Sequence, residues 1–150
     1  MEAVNYMVLN SFSIRPAGII IKEMADKFAV LVIDDEPIVA DALTVVLSDS
    51  GYEVTVATTG RDGLDKISEQ RFDITITDLR LPDMSGLDVL SLIREKEPCS
   101  LIILITAHAT PEITAEAVSR GAVDVLSKPF FPSDVLGLLE NALTNRNQKN

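Results

Sequence analysis

Three consecutive carboxylates, Asp34, Asp35 and Glu36, follow an unbroken apolar stretch from Phe28 to Ile33. Such a stretch reads as a buried strand, so the charges repel one another where water is partly excluded and a positive partner is required. Further β-rich stretches lead to Asp78 in FDITITDLRLPDMSG, to Thr106 in LIILITAHAT and to Lys128 in VLSKPF. If the strands ending at Asp34 and Asp78 are neighbours, Asp34, Asp35 and Asp78 converge. Clustered hard oxygen ligands suit magnesium or manganese, and magnesium keeps several waters beside one or two protein carboxylates. A carboxylate, a divalent cation, a hydroxyl and an ammonium around one pocket form a site for a phosphoryl group carried on the carboxylate. Aspartate can serve as the nucleophile, while metal and lysine stabilise charge on the transferring oxygens.

Each residue also has a bland reading. Asp35 has the chemistry to cap a helix beginning near Pro37, a threonine at a strand end is often structural, and a lone lysine is often solvated. What sets these readings aside is that all of the residues fall at the carboxyl ends of successive expected strands. Those strands are 28–33, 52–57, 73–77, 101–105 and 123–127. Helical periodicity fills 37–49, 60–69, 85–96, 111–120 and 132 to about 145, with Pro37, Pro111 and Pro132 suited to first turns and Ser50-Gly51 and Gly121 to helix ends. Strands alternating with helices imply an α/β fold with a parallel sheet, doubly wound as (βα)5. Ligands bind such sheets beyond the carboxyl ends of the strands, at a topological switch point.

The chain of 150 residues, 47% of them hydrophobic, suits one globular domain. Its formal net charge of −10 disfavours direct nucleic-acid binding, which depends on lysines and arginines displacing counterions from phosphates. One cysteine, Cys99, excludes an intrachain disulfide and fits a reducing, cytoplasmic setting, with the thiol itself inert. One histidine, His108, unaccompanied by CxxC or HExxH, excludes a His-rich zinc site. No apolar run approaches the roughly 20 residues that span a bilayer, and the N-terminus, with Glu2 where positive charge is expected, fails as a secretory signal.

From about Phe28 to Asn145 the chain resembles the receiver domain of bacterial two-component response regulators, through VLVIDDEP, DITITDLRLPDMSGLDVL, LITAHA and LSKPF. The resemblance implies a flavodoxin-like fold with strand order 2-1-3-4-5. It makes Asp78 the phosphoacceptor and assigns Mg2+ (Mn2+ as substitute) to Asp35, Asp78 and the backbone carbonyl of Arg80, with Asp34 acting mainly through a metal-bound water. It has Thr106 hydrogen-bond a phosphoryl oxygen and Lys128 pair with it, and it implies a cis Lys128-Pro129 peptide. The implied partners are a sensor histidine kinase or phosphotransfer protein upstream and a downstream protein or output domain. The implied chemistry is that of a signalling phosphoacceptor assisting its own phosphotransfer and autodephosphorylation, not of an enzyme with turnover. Receivers of this kind read out through the fourth helix, fifth strand and fifth helix, and a homodimer through the fourth and fifth helices is an expectation of the same kind. One departure stands out: the family commonly has Tyr or Phe three residues before the lysine, and here that position is Val125, which brings the threonine-plus-aromatic form of switching into question. Arg80 and His108 occupy positions that in the family flank the attacking water, where bulk and charge are expected to slow hydrolysis.

Residues 1–27 do not join the strand–helix pattern. They are expected to be a loose extension or an upstream start with Met24 as the functional one, the sharper alternative being an arm that packs on the domain or on a second copy. Residues 146–150, RNQKN, are expected to be a short tail, leaving a stand-alone receiver or one excised from a longer regulator; DLRLPDMSGLDVL is similar to receivers attached to transcriptional activators. Three rivals differ in class. A flavodoxin-like cofactor binder needs a loop rich in Gly, Ser or Thr where this chain has DDEP; a magnesium-dependent phosphatase would turn over phosphate esters; a degenerate scaffold would not need Asp78, Thr106 and Lys128 intact.

Overall fold

The computed structural model describes residues 27–149. The expectations for the N-terminal extension lie outside these residues. Five strands and five helices alternate: β1 (Ala29–Ile33), α1 (Pro37–Asp49), β2 (Glu53–Ala57), α2 (Gly60–Glu69), β3 (Ile74–Asp78), α3 (Gly86–Lys96), β4 (Leu101–Thr106), α4 (Pro111–Ser119), β5 (Asp124–Ser127) and α5 (Pro132–Lys149). All strand pairs are parallel, in the order β2-β1-β3-β4-β5, as expected. The order reverses between β1 and β3, and the crevice there lies at the ends that carry the acidic residues.

Alternation along the central strands explains why they read as continuous apolar runs. In β1, Val30 and Val32 face one side, where they meet Leu43 and Leu47 of α1 and Val135 and Leu139 of α5. Leu31 and Ile33 face the other, among Ile67 of α2, Val89, Leu90 and Ile93 of α3 and Ala117 of α4. Burying a side chain of this size contributes about 1.5–3 kcal/mol, so both faces must be apolar in a sheet covered on both sides.

Local signals set most helix ends. Thr59, Ser85 and Thr110 cap α2, α3 and α4, their hydroxyls accepting N–H bonds from Asp62, Leu87 and Ile113. Gly51 and Gly121 follow α1 and α4 at φ 95° and 107°, a left-handed conformation that glycine adopts without a Cβ penalty. Three boundaries differ from expectation in ways that matter. Strands β3 and β4 each run one residue further, to Asp78 and Thr106, because both residues stay in register with their neighbours: Asp78 with Ile105 and Thr106 with Ser127. Helix α5 continues to Lys149, so residues 146–149 are helix rather than tail; no Gly or Pro interrupts them.

Candidate functional site

The register that ends β1 at Ile33 and β3 at Asp78 brings three carboxylates to one end of the sheet. Ligand oxygens of Asp34, Asp35 and Asp78 all lie within 4.8 Å of one another, with Asp34 and Asp78 buried and Asp35 exposed. Lys128, entering from the loop after β5 through a cis peptide to Pro129, places its Nζ 2.9 Å from Asp78 Oδ2 and 3.2 Å from Asp34 Oδ2. The same ammonium donates to Glu36 Oε1 at 2.5 Å. Asp34 Oδ1 accepts the Glu36 N–H at 2.8 Å, and Asp78 Oδ1 accepts the Arg80 N–H at 3.2 Å.

This packing leaves a definite imbalance. Asp34 Oδ2 is near the ammonium but off its hydrogen-bonding directions, so this buried oxygen has no hydrogen-bond partner. Burial pushes the Asp34 carboxyl above the usual carboxylate range, with the charge of Asp78 adding to it, and the Glu36 N–H and Lys128 only partly offset this. Burial would by itself lower the Lys128 ammonium; its bonds to Glu36 and Asp78 and the nearby Asp34 charge outweigh that and raise it above the ordinary lysine value. One ammonium contacts three acidic side chains, Asp34, Glu36 and Asp78, and Asp35 adds a fourth carboxylate to the cluster. An all-oxygen cluster with a buried, unpartnered carboxylate oxygen fits a hard divalent cation such as magnesium or manganese.

Thr106 is buried at the end of β4, its hydroxyl accepting the His108 N–H at 3.1 Å and its carbonyl accepting the Lys128 N–H at 2.7 Å. Its hydroxyl makes no hydrogen bond to Asp78 among the described residues. The capping role considered for Asp35 is not found. Glu36 is the N-cap residue of α1, and no side chain caps that helix; the Asp34 carboxylate takes the Glu36 N–H instead.

The family model for the response regulator receiver domain matches residues 30–140. The chain belongs to this family. Among curated receivers' parent proteins, it is 40% identical over 114 residues to the transcriptional regulatory protein KdpE of Mycobacterium tuberculosis, covering 76% of this chain and 50% of that protein. It is 33% identical over 120 residues to the transcriptional regulatory protein ZraR of Escherichia coli, covering 80% of this chain and 27% of that protein. The chain thus spans between about a quarter and a half of these relatives' lengths. A response regulator receiver domain of Methanospirillum hungatei superposes with a TM-score of 0.79 at 29% identity, covering 83% of this chain and all of that one.

In this receiver, Arg80 and His108 are exposed in the loops after β3 and β4, two residues past Asp78 and Thr106 respectively. Val125, opposite Leu104 in the β4–β5 pairing, is half-buried and packs against the core on the α2–α4 face. Two residues with roles here carried no such assignment from the sequence. Glu36 bonds Lys128 across 92 positions of chain, a partnership that only the closed sheet creates. Asp83, in the loop after β3, accepts the N–H groups of Gly60 at 2.8 Å and Arg61 at 2.9 Å, tying that loop to the first turn of α2. These bonds, Arg61's first, hold its carboxyl below the usual range. Its place in LPDMSG beside Pro82 marks a turn, but not the helix it reaches.

Proposed function

We propose that this receiver takes a phosphoryl group onto Asp78 from a phosphohistidine on a sensor kinase or phosphotransfer protein. The observation that carries this reading is the Lys128 ammonium 2.9 Å from Asp78 Oδ2, beside two further aspartates whose charges it does not balance. An Asp78 oxygen attacks phosphorus; the P–O bond forms as the P–N bond breaks, and its electron pair leaves on the donor's imidazole nitrogen. Asp34, Asp35, Asp78 and the Arg80 carbonyl would hold magnesium, which when bound neutralises the cluster and the charge on transferring oxygens. Lys128 exchanges its Asp78 contact for a phosphoryl oxygen. The Thr106 hydroxyl turns to donate to another, drawing in the loop that carries His108.

The phosphoryl group replaces one carboxylate charge with a more anionic group, and the moves of Thr106 and Lys128 shift a two-state equilibrium read at α4, β5 and α5. Half-buried Val125 already fills core space, which favours a switch carried by the loops rather than by a swinging ring. Arg80 and His108 shield the acyl phosphate from water and set its rate of autodephosphorylation. The output is a downstream protein or an output domain in the same regulator, and the setting is the cytoplasm, where the kinase's phosphohistidine is presented.

A groove of about 480 Å3 adjoins the acceptor. Glu36, Ile38, Val39, Ala42, Ala107, Lys128, Pro129, Phe130 and Pro132 line it, with Ile38 84% exposed. Its mostly apolar wall runs up to the Lys128 ammonium, which suits an amphipathic helix of the partner that presents the phosphohistidine beside Asp78. Sodium borohydride reduction of protein treated with acetyl phosphate tests the assignment. An acyl phosphate at Asp78 becomes homoserine, and peptide mass spectrometry should find that residue at position 78; homoserine elsewhere would refute the assignment.

A further inference from the structure

We propose that Glu36 is a positioning residue that holds the Lys128 ammonium back from the phosphoryl group, so that its release sets how readily Asp78 is phosphorylated. This rests on the phosphoacceptor reading above and adds a residue to it. Three carboxylates surround the Lys128 Nζ, and Glu36 at 2.5 Å is nearer than Asp78 at 2.9 Å or Asp34 at 3.2 Å. The Glu36 side chain is 58% exposed, against 9% for Asp78 and none for Asp34. Of the three, only Glu36 can swing into solvent without leaving a buried charge unpaired. Its position also frees it for this use: as the N-cap residue of α1 it makes no side-chain capping bond, and its backbone is fixed by the N–H bond to Asp34 Oδ1.

Lys128 therefore has two carboxylate anchors inside the pocket and one at its mouth. An incoming phosphoryl group is anionic and must take the ammonium from one of them. Asp78 gives up its contact by becoming the acyl phosphate. Glu36 competes for the ammonium and repels the donor from the open side of the site. The effect is bounded by what a partly exposed ion pair is worth, which corresponds to a rate change of about two- to fivefold, and it shrinks with ionic strength as exposed charges are screened.

The test compares wild type, Glu36→Gln and Asp41→Asn, the last removing the same charge from an exposed position of α1. Uptake of phosphoryl from acetyl phosphate with magnesium is followed by intact mass at low and high salt. Exchange of the Lys128 ammonium protons is followed by 15N NMR, with the signal assigned by its loss in Lys128→Arg. Glu36→Gln should take up phosphoryl about two- to fivefold faster at low salt and exchange its Lys128 protons faster, with Asp41→Asn matching wild type in both. Equal rates and equal exchange in Glu36→Gln and Asp41→Asn would overturn the inference while wild-type uptake leaves the phosphoacceptor reading standing. No adduct on wild type would sink that reading and the inference with it.

Discussion

Replacing Gly86 with alanine strikes the acceptor strand from behind, and the structure fixes how hard. A Cβ on Gly86 would overlap the Asp78 carbonyl oxygen and lie 2.9 Å from Leu79 Cα and 3.0 Å from the Asp78 carbonyl carbon. All three are backbone atoms, and Asp78 is pinned by its register with Ile105. The start of α3 must then retreat by roughly 1 Å to clear them, straining the 2.7 Å bond from the Gly86 N–H to the Leu79 carbonyl. Overpacking of this kind costs about 1–3 kcal/mol, and with no side chain free to yield the upper half of that range applies. In a domain of this size that lowers Tm by roughly 8–12 °C. Because the ladder holds Asp78 while α3 takes up the displacement, phosphoryl uptake should fall no further than the loss of folded protein explains. Gly63→Ala is the control: its Cβ would meet side-chain atoms only, Ile33 Cδ1 and, at 2.9 Å, Cγ1, rather than the backbone of the acceptor strand. It should be milder and leave uptake near wild type. Gly137→Ala in α5 meets nothing within 4 Å and should stabilise by about 0.5–1 kcal/mol. Urea denaturation and uptake from acetyl phosphate, measured on all three, decide the matter. A Gly86→Ala variant as stable and as reactive as wild type would refute the packing argument.

Asp34→Asn keeps an acceptor for the Glu36 N–H but removes a buried charge, so without divalent cations it should melt higher than wild type at neutral pH. The raised carboxyl means that wild type loses stability as pH climbs past the ordinary aspartate value and regains it on acidification, so the two curves should converge at low pH. Magnesium at 100 times its Kd should stabilise wild type by about 2.7 kcal/mol and the variant much less; a variant that is less stable without metal would contradict the imbalance. Asp83→Ala should lower Tm and speed hydrogen exchange at the Gly60 and Arg61 amides. Because the folded Asp83 carboxyl sits below its ordinary value, its contribution is present above the unfolded value of about 3.8 and lost as pH falls through the folded one, so variant and wild type should meet in acid. A gap that persists there would assign the effect to something other than its charge.

Much of the sheet was legible because its central strands are covered on both faces. A continuous apolar run as short as Phe28 to Ile33, bounded by Lys27 and Asp34, suits a doubly covered strand far better than a helix; alternation with helices implies a doubly wound parallel sheet, and the family resemblance supplies its strand order. The strand ends were less legible: Asp78 and Thr106 look like loop chemistry, yet each keeps its place in the ladder. The length of α5 was missed because residues 146–149 are polar and lack an apolar stripe, while nothing in them breaks a helix. At the site, types and spacing singled out Asp34, Asp35, Asp78, Thr106 and Lys128 because each lies where a strand ends. Glu36 and Asp83 were not assigned their partners because those partners are distant in sequence, and side-chain direction in a loop is set by packing rather than by periodicity.

The most direct test of the central claim is the intact mass of wild type and Asp78→Asn after incubation with acetyl phosphate, with and without magnesium. The account predicts one added phosphoryl group on wild type that requires magnesium, and none on Asp78→Asn. An adduct of equal extent on Asp78→Asn, or no adduct on wild type with magnesium bound and hydrolysis too slow to hide it, would contradict it.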